Sequence, residues 1–164
     1  MVNPFLAKGF TPFKNPYTIS VNIITAMFTL PALTVVKDVL RTAKTIAVVG
    51  FSPKENRPSN MVGCYLIQAG FRVIPVNPGH SEICGLKCYP DLSSIPEAVD
   101  VVDIFRRAHD VLPVVEEAIS IGAKVIWMQQ GIINREAADL AEKAGLIVVM
   151  DRCIKVDHMQ FGSV

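Results

Sequence analysis

Apolar and polar positions fall into alternating blocks along this chain. Short, nearly continuous apolar runs occupy residues 46–49 (IAVV), 71–76 (FRVIPV), 99–105 (VDVVDIF), 124–128 (KVIWM) and 146–150 (LIVVM). Each has the length and the β-branched content of a buried strand. Between them the apolar positions follow helical spacing. Leu33, Val36, Val39 and Leu40 mark a helix ahead of the first run, and Met61, Tyr65 and Leu66 share one side of a helix that starts near Pro58 and runs to residue 68. Further helices are predicted over 110–121, with Pro113 in the tolerated first turn, and over 134–144, with Asn134 as N-cap. Gly70, Gly122 and Gly145 stand where glycine commonly ends a helix. Asn77-Pro78-Gly79 signals a turn, 84–89 a short extended piece, 93–98 a turn or two of helix, and 151–164 a polar, mixed tail.

Strands that are apolar throughout and alternate with helices describe a parallel sheet covered on both faces. With right-handed crossovers the expected architecture is α/β: a doubly wound, Rossmann-like sheet of five parallel strands in the order 3-2-1-4-5. In such sheets ligands sit beyond the carboxyl ends of the strands. The candidate segments are therefore 50–60, Asn77-Pro78, Phe105-Arg106-Arg107, 129–132 and 151–153. Lys54, Arg57, Arg106, Arg107 and Arg152 gather positive charge there, and the helix start near Pro58 adds N–H groups suited to an anion.

Composition narrows the field. The chain has 164 residues, 51% apolar and 19% charged, enough for one domain with a substantial core. A formal net charge of +1 gives no global attraction to nucleic acid or acidic membranes. No apolar run approaches the ~18–20 residues of a membrane span. Four cysteines (Cys64, Cys84, Cys88, Cys153) without a recognisable secretory segment are expected to be reduced thiols, so a soluble cytoplasmic protein is the plain expectation. Residues 1–33 stand apart, with four prolines, two lysines and no acidic residue. They are expected to be a poorly packed extension, or an arm that docks on the domain, on a second copy or on a protein partner. Residues 34–164 form the domain.

Phosphates are the expected ligand of the first loop, but the ordinary dinucleotide pattern is missing. Gly50-Phe51-Ser52-Pro53-Lys54-Glu55 lacks the second and third glycines of G-x-G-x-x-G, and the second strand ends in Asn77 where an acidic residue would take a ribose hydroxyl. A Walker loop is absent as well.

Taken in order, IAVVGFSPKENRPSN, VIPVNPG, DVVDIFRR, VIWMQQGI and DRCIKVDH resemble the small stand-alone coenzyme A-binding proteins, relatives of the CoA-binding domain of the succinyl-CoA synthetase α subunit. The resemblance extends over residues ~36–160 and implies a Rossmann-like domain whose strand-end loops hold CoA. It places Gly50, Phe51, Ser52, Lys54, Arg57 and Asn60 in the phosphate-binding loop. Asn77 and Pro78 fall beside the nucleotide, and Phe105, Arg106, Gln129, Gly131 and Ile132 on the opposite wall. The synthetase's phosphorylated histidine has no counterpart in His80, His109 or His158, so the resemblance implies binding of CoA or an acyl-CoA without catalysis.

Plainer readings stand beside these. Phe51 and Phe105 are either core or adenine neighbours, and Trp127 is core. Asp103, inside an apolar strand, is expected to accept hydrogen bonds from a neighbouring loop, since an unpartnered carboxylate there is costly. Cys153 reads as a structural thiol, although a CoA thiol could reach that position. His80, Cys84 and Cys88 lack a fourth nearby ligand for zinc. The competing functional classes are a nicotinamide-dependent oxidoreductase, a subunit of an acyl-CoA ligase, and a regulatory module acting through the amino-terminal arm.

Overall fold

The computed structural model describes residues 32–162. The reading of residues 1–33 as an arm falls almost wholly outside them. A first helix, α1 (Leu33–Thr42), leads into β1 (Thr45–Val49), and α2 (Pro58–Gln68) connects it to β2 (Arg72–Val76). A small antiparallel hairpin follows, β3 (Glu82–Ile83) and β4 (Leu86–Lys87). The chain then forms β5 (Val101–Ile104), α3 (Val111–Ser120), β6 (Val125–Met128), α4 (Arg135–Lys143), β7 (Ile147–Val149) and α5 (Ile154–Phe161). Among the described residues no helix is long and apolar enough to cross a membrane.

The unbroken apolar strands of the sequence resolve into two alternating sets. Ala47, Val49, Val102, Ile104, Ile126 and Met128 face α3 and α4, while Ile46, Val48, Val101, Val125 and Trp127 face α1, α2 and α5. Helices thus cover both faces of one five-stranded parallel sheet, the predicted class. Asp100 ties its lower edge. Its Oδ2 accepts from the N–H groups of Lys44 (2.9 Å) and Thr45 (3.0 Å), and Oδ1 accepts from Lys124 Nζ at 2.8 Å.

Strand order differs from the expected one. The sheet runs β2-β1-β5-β6-β7, so in the count of the five long strands it is 2-1-3-4-5 and not 3-2-1-4-5. The run at 99–105 is fully buried along β5 and pairs on both sides, with β1 and β6. β2 takes the edge, where Pro75 is tolerated because its carbonyl and its missing N–H face away from β1. Only a fragment of a further strand lies beyond it: Tyr89 makes a single parallel bridge to Val76, donating to Pro75 O and accepting from Asn77 N, both at 2.9 Å.

Two smaller expectations also change. Residues 93–94 are a turn, with Asp91 Oδ1 accepting from Ser94 N at 2.8 Å, residues 95–98 are irregular, and no helix forms. The tail read only as polar and mixed contains α5. That helix is carried by buried Ile154 and by a paired ion bridge, Arg152 Nε to Asp157 Oδ2 (2.6 Å) and a second guanidinium nitrogen to Oδ1 (2.7 Å).

Candidate functional site

The chain leaves β1 toward β2 on one side, and its next strand, β5, lies on the other. Ligand crevices form at such a switch point. The two strand ends are joined tightly there. Phe105 N donates to Val49 O at 2.8 Å, and Gly50 N donates to Val76 O at 2.9 Å. Gly50 has φ +85°, and a Cβ placed on it would lie 2.4 Å from the Phe105 carbonyl oxygen. Only glycine lets the two loops approach this closely.

Side chains from α2 and β2 hold the loop after Gly50 in shape. Ser59 Oγ accepts from Ser52 N (3.1 Å), Asn60 Nδ2 donates to Ser52 O (2.8 Å), and Asn77 Nδ2 donates to Phe51 O (2.9 Å). Pro58 opens α2 and has no N–H, while Asn60 and Met61 both donate to the Arg57 carbonyl. That leaves the Ser59 N–H without a protein acceptor among the described residues, at the positive end of the helix.

Above this floor lies an open cleft of about 600 Å³. Of the residues named from the sequence, Gly50, Ser52, Lys54, Arg57, Asn77, Phe105, Arg106, Arg107 and Ile132 line it, together with Pro53, Pro58, Ser59 and His80. No aspartate or glutamate is among these residues, and none of Lys54, Arg57, Arg106 and Arg107 forms an ion pair among the described residues. Four unneutralised cations facing one cleft over a helix start create a field for a multiply charged anion.

The remaining candidates sit elsewhere. Phe51 is fully buried, its ring against Gly63 of α2, where an added Cβ would come within 2.3 Å of the ring. It is core. Asn60 is buried and spends its amide on the loop, and Pro78 is exposed outside the cleft lining. Gln129 is also buried, its Nε2 donating to Asp103 Oδ1 at 2.7 Å. Gly131, at φ +83°, donates its N–H to Asp151 Oδ1 at 2.7 Å and shapes the loop from which Ile132 reaches the cleft. Arg152, counted among the strand-end cations, is neutralised by Asp157 and stays out of the lining. Its carbonyl accepts from the buried Trp127 Nε1 at 2.8 Å.

Asp103 is fully buried at the upper end of β5. Burial pushes its carboxyl up to about 7, against the downward pull of the Gln129 hydrogen bond, and Oδ2 has no partner among the described residues. The expected partner loop is therefore the exit of β6, and the amide satisfies one oxygen only. Ser59 lay within the candidate segment 50–60 without being singled out, and His80 fell outside every candidate segment. Ser59 carried a signal, being the hydroxyl just inside a helix that follows a phosphate-type loop. His80 carried none beyond its place after the Asn77-Pro78-Gly79 turn.

Comparison with known proteins agrees with this construction. Residues 44–159 match the family model described as a CoA binding domain. An uncharacterized protein, YneT, of Bacillus subtilis is 41% identical over 128 residues, covering 78% of this chain and 95% of that protein. Acetate–CoA ligase [ADP-forming] I of Archaeoglobus fulgidus is 34% identical over 121 residues, which span 68% of this chain but 18% of the ligase. Among solved structures, a hypothetical protein from Pyrococcus horikoshii superposes with a TM-score of 0.78 at 42% identity, covering 80% of this chain and 92% of that one. The chain belongs to the CoA-binding domain family, in the form of the small relatives it matches along nearly their full length.

Proposed function

We propose that the cleft binds coenzyme A or an acyl-CoA, with the phosphates of the ligand on the loop 50–57 and the start of α2. The observation that carries this reading is the convergence of Lys54, Arg57, Arg106 and Arg107, without ion-pair partners or a lining carboxylate, on a loop fixed by Ser59, Asn60 and Asn77. Membership of the CoA-binding domain family supports CoA over other polyphosphates. Phe105 and Ile132 supply the apolar flanks an adenine or pantetheine arm needs. Asn77 at the end of β2 spends its side chain on Phe51 O and on Gly79 N (3.1 Å), which disfavours the carboxylate-to-ribose contact of NAD sites. The cleft offers cations, amides and hydroxyls, groups that hold an anion, and the role we assign is binding without chemistry of its own.

Calorimetric titration of the full chain tests this. CoA is expected to bind more tightly than dephospho-CoA, and both ahead of NAD. Absence of saturable heat at millimolar CoA overturns the reading, and a preference for NAD transfers the site to dinucleotides. The similarity to part of an ADP-forming ligase favours a second reading, in which the chain serves as the CoA-holding portion of an acyl-CoA ligase assembly. Formation of ATP from acetyl-CoA, ADP and phosphate, on adding candidate partner subunits, is its test.

A further inference from the structure

Behind the phosphate-type loop, on the far side of Asn60, two thiols meet. Cys64 lies one helical turn after Asn60 in α2, and Cys84 opens the turn between β3 and β4. Their sulfurs are 3.2 Å apart. The Asn60 side chain touches both, its Oδ1 accepting from Cys64 Sγ at 3.5 Å and its Nδ2 lying 3.7 Å from Cys84 Sγ. The backbone at Cys84 is unusual. The hairpin is closed by two residues, Cys84 at φ +53° and Gly85 at φ +71°, the geometry of a type I′ turn, in which Asn-Gly is the favoured pair. A cysteine there holds a left-handed conformation that side chains other than Asn and Asp rarely adopt, and the conformation sets its sulfur against Cys64.

We propose that Cys64 and Cys84 form a reversible disulfide, a redox site that clamps the β3–β4 hairpin to α2 beside the cleft. The sulfurs need close only from 3.2 Å to the ~2.05 Å of a disulfide. One partner sits on a two-residue turn of a short hairpin, which can supply that movement. The thiols differ in access. Cys84 is exposed, whereas Cys64 is half-buried, its thiol pushed up to about 11 by burial first and then by its hydrogen bond to Cys84. Cys84 is therefore the attacking sulfur and Cys64 the resolving one.

With a low-molecular-weight disulfide as oxidant, the Cys84 thiolate attacks one oxidant sulfur, breaks the oxidant S–S bond and releases one small thiolate. Cys64 then attacks the Cys84 sulfur, the second small thiolate leaves, and the Cys64 proton passes to it. Two electrons move from the protein thiols to the oxidant, which ends as two small thiols. Cys88 is placed differently: it is buried, with its thiol directed to Asn77 O at 3.5 Å.

The site lies outside the cleft, and its test does not depend on CoA. The reduced full chain is incubated with oxidised glutathione, alkylated under native conditions and mapped by mass spectrometry. The expected result is loss of alkylation at Cys64 and Cys84 together, with a linked 64–84 peptide that dithiothreitol reverses. Cys64→Ser should instead accumulate the glutathione adduct on Cys84, and Cys84→Ser should leave Cys64 reduced. A stable adduct on Cys84 in the unsubstituted chain, pairing that involves Cys88 or Cys153, or retention of both thiols overturns the proposal.

Discussion

Asp103 sets up a pH dependence of stability whose sign follows from its burial. The carboxyl stands at about 7 in the folded chain against an ordinary 3.8, because desolvation outweighs the single hydrogen bond from Gln129. Between those values the folded chain holds the proton and the unfolded chain has lost it. Stability tied to this group is thus complete below about pH 4 and falls as pH rises through about 7. At about 1.4 kcal/mol for each tenfold change in protonation, the loss is about 2 kcal/mol by pH 5 and on the order of 4 kcal/mol by pH 8. Asp103 is fully buried, so solvent does not screen the effect. Asp103→Asn keeps an oxygen for Gln129 and removes the titration. Urea unfolding of both chains at pH 5 and pH 8 isolates this group, because the other titrating residues cancel in the difference. The variant should gain about 2–3 kcal/mol on the unsubstituted chain between the two pH values, a shift on the order of 1–2 M in urea midpoint. A difference that stays constant from pH 4 to pH 8 refutes the reasoning and means that Asp103 is either ionised throughout or satisfied at Oδ2.

The other expectations concern the loop, the cleft and the last helix. Gly50→Ala should cost about 2–4 kcal/mol, combining a strained positive φ with a clash against a backbone carbonyl, and should depress CoA binding as the loop shifts. Gly70→Ala, at φ +92° with open space around it, carries only the first contribution, and equal loss of thermal stability in the two variants would count against the close-approach argument. Arg57→Ala or Arg106→Ala should each weaken CoA binding about tenfold and flatten its dependence on salt. Lys124→Ala, a cation paired with Asp100 at the opposite end of the sheet, should change neither. Asp157→Ala leaves the Arg152 guanidinium partly buried without its partner and should cost about 2–3 kcal/mol in chemical denaturation while CoA titration is unchanged.

Much of this molecule was legible because local chemistry and tertiary context agree. The strand residues 46–49 and 125–128 are buried on both faces, and their sequences say so. Asn134 caps α4 as its position suggested, its Oδ1 accepting from Ala137 N at 2.9 Å. Where local chemistry was faint, the reading failed. In α5 the apolar Val156 and Met159 face solvent, so its apolar positions mark no single buried face, and what anchors it beside Ile154 is a pairing between Arg152 and Asp157 that no periodicity reveals. Phe51 illustrates a different limit. An aromatic residue next to a binding-type glycine can face the ligand or the core, and what decides is Gly63, twelve residues on, which leaves room for the ring.

Strand order is the instructive error, because a cue for it was present. In a parallel sheet an interior strand needs its backbone donors on both sides, and Pro75 lacks one. A proline in the second strand therefore argues for an edge. Placing that strand at the edge forces the 99–105 run to the other side of β1. The move relocates the crevice: it opens between β1 and β5, so the loops that begin at Gly50 and at Phe105 become immediate neighbours. The cleft then draws two cations from each, Lys54 and Arg57 from the first and Arg106 and Arg107 from the second. Under the expected order these pairs would have lain on strands that are not adjacent. The glycine at position 50 is thus explained by the corrected topology, since its missing Cβ is what allows the Phe105 carbonyl to pass and the two pairs of charges to line one cleft.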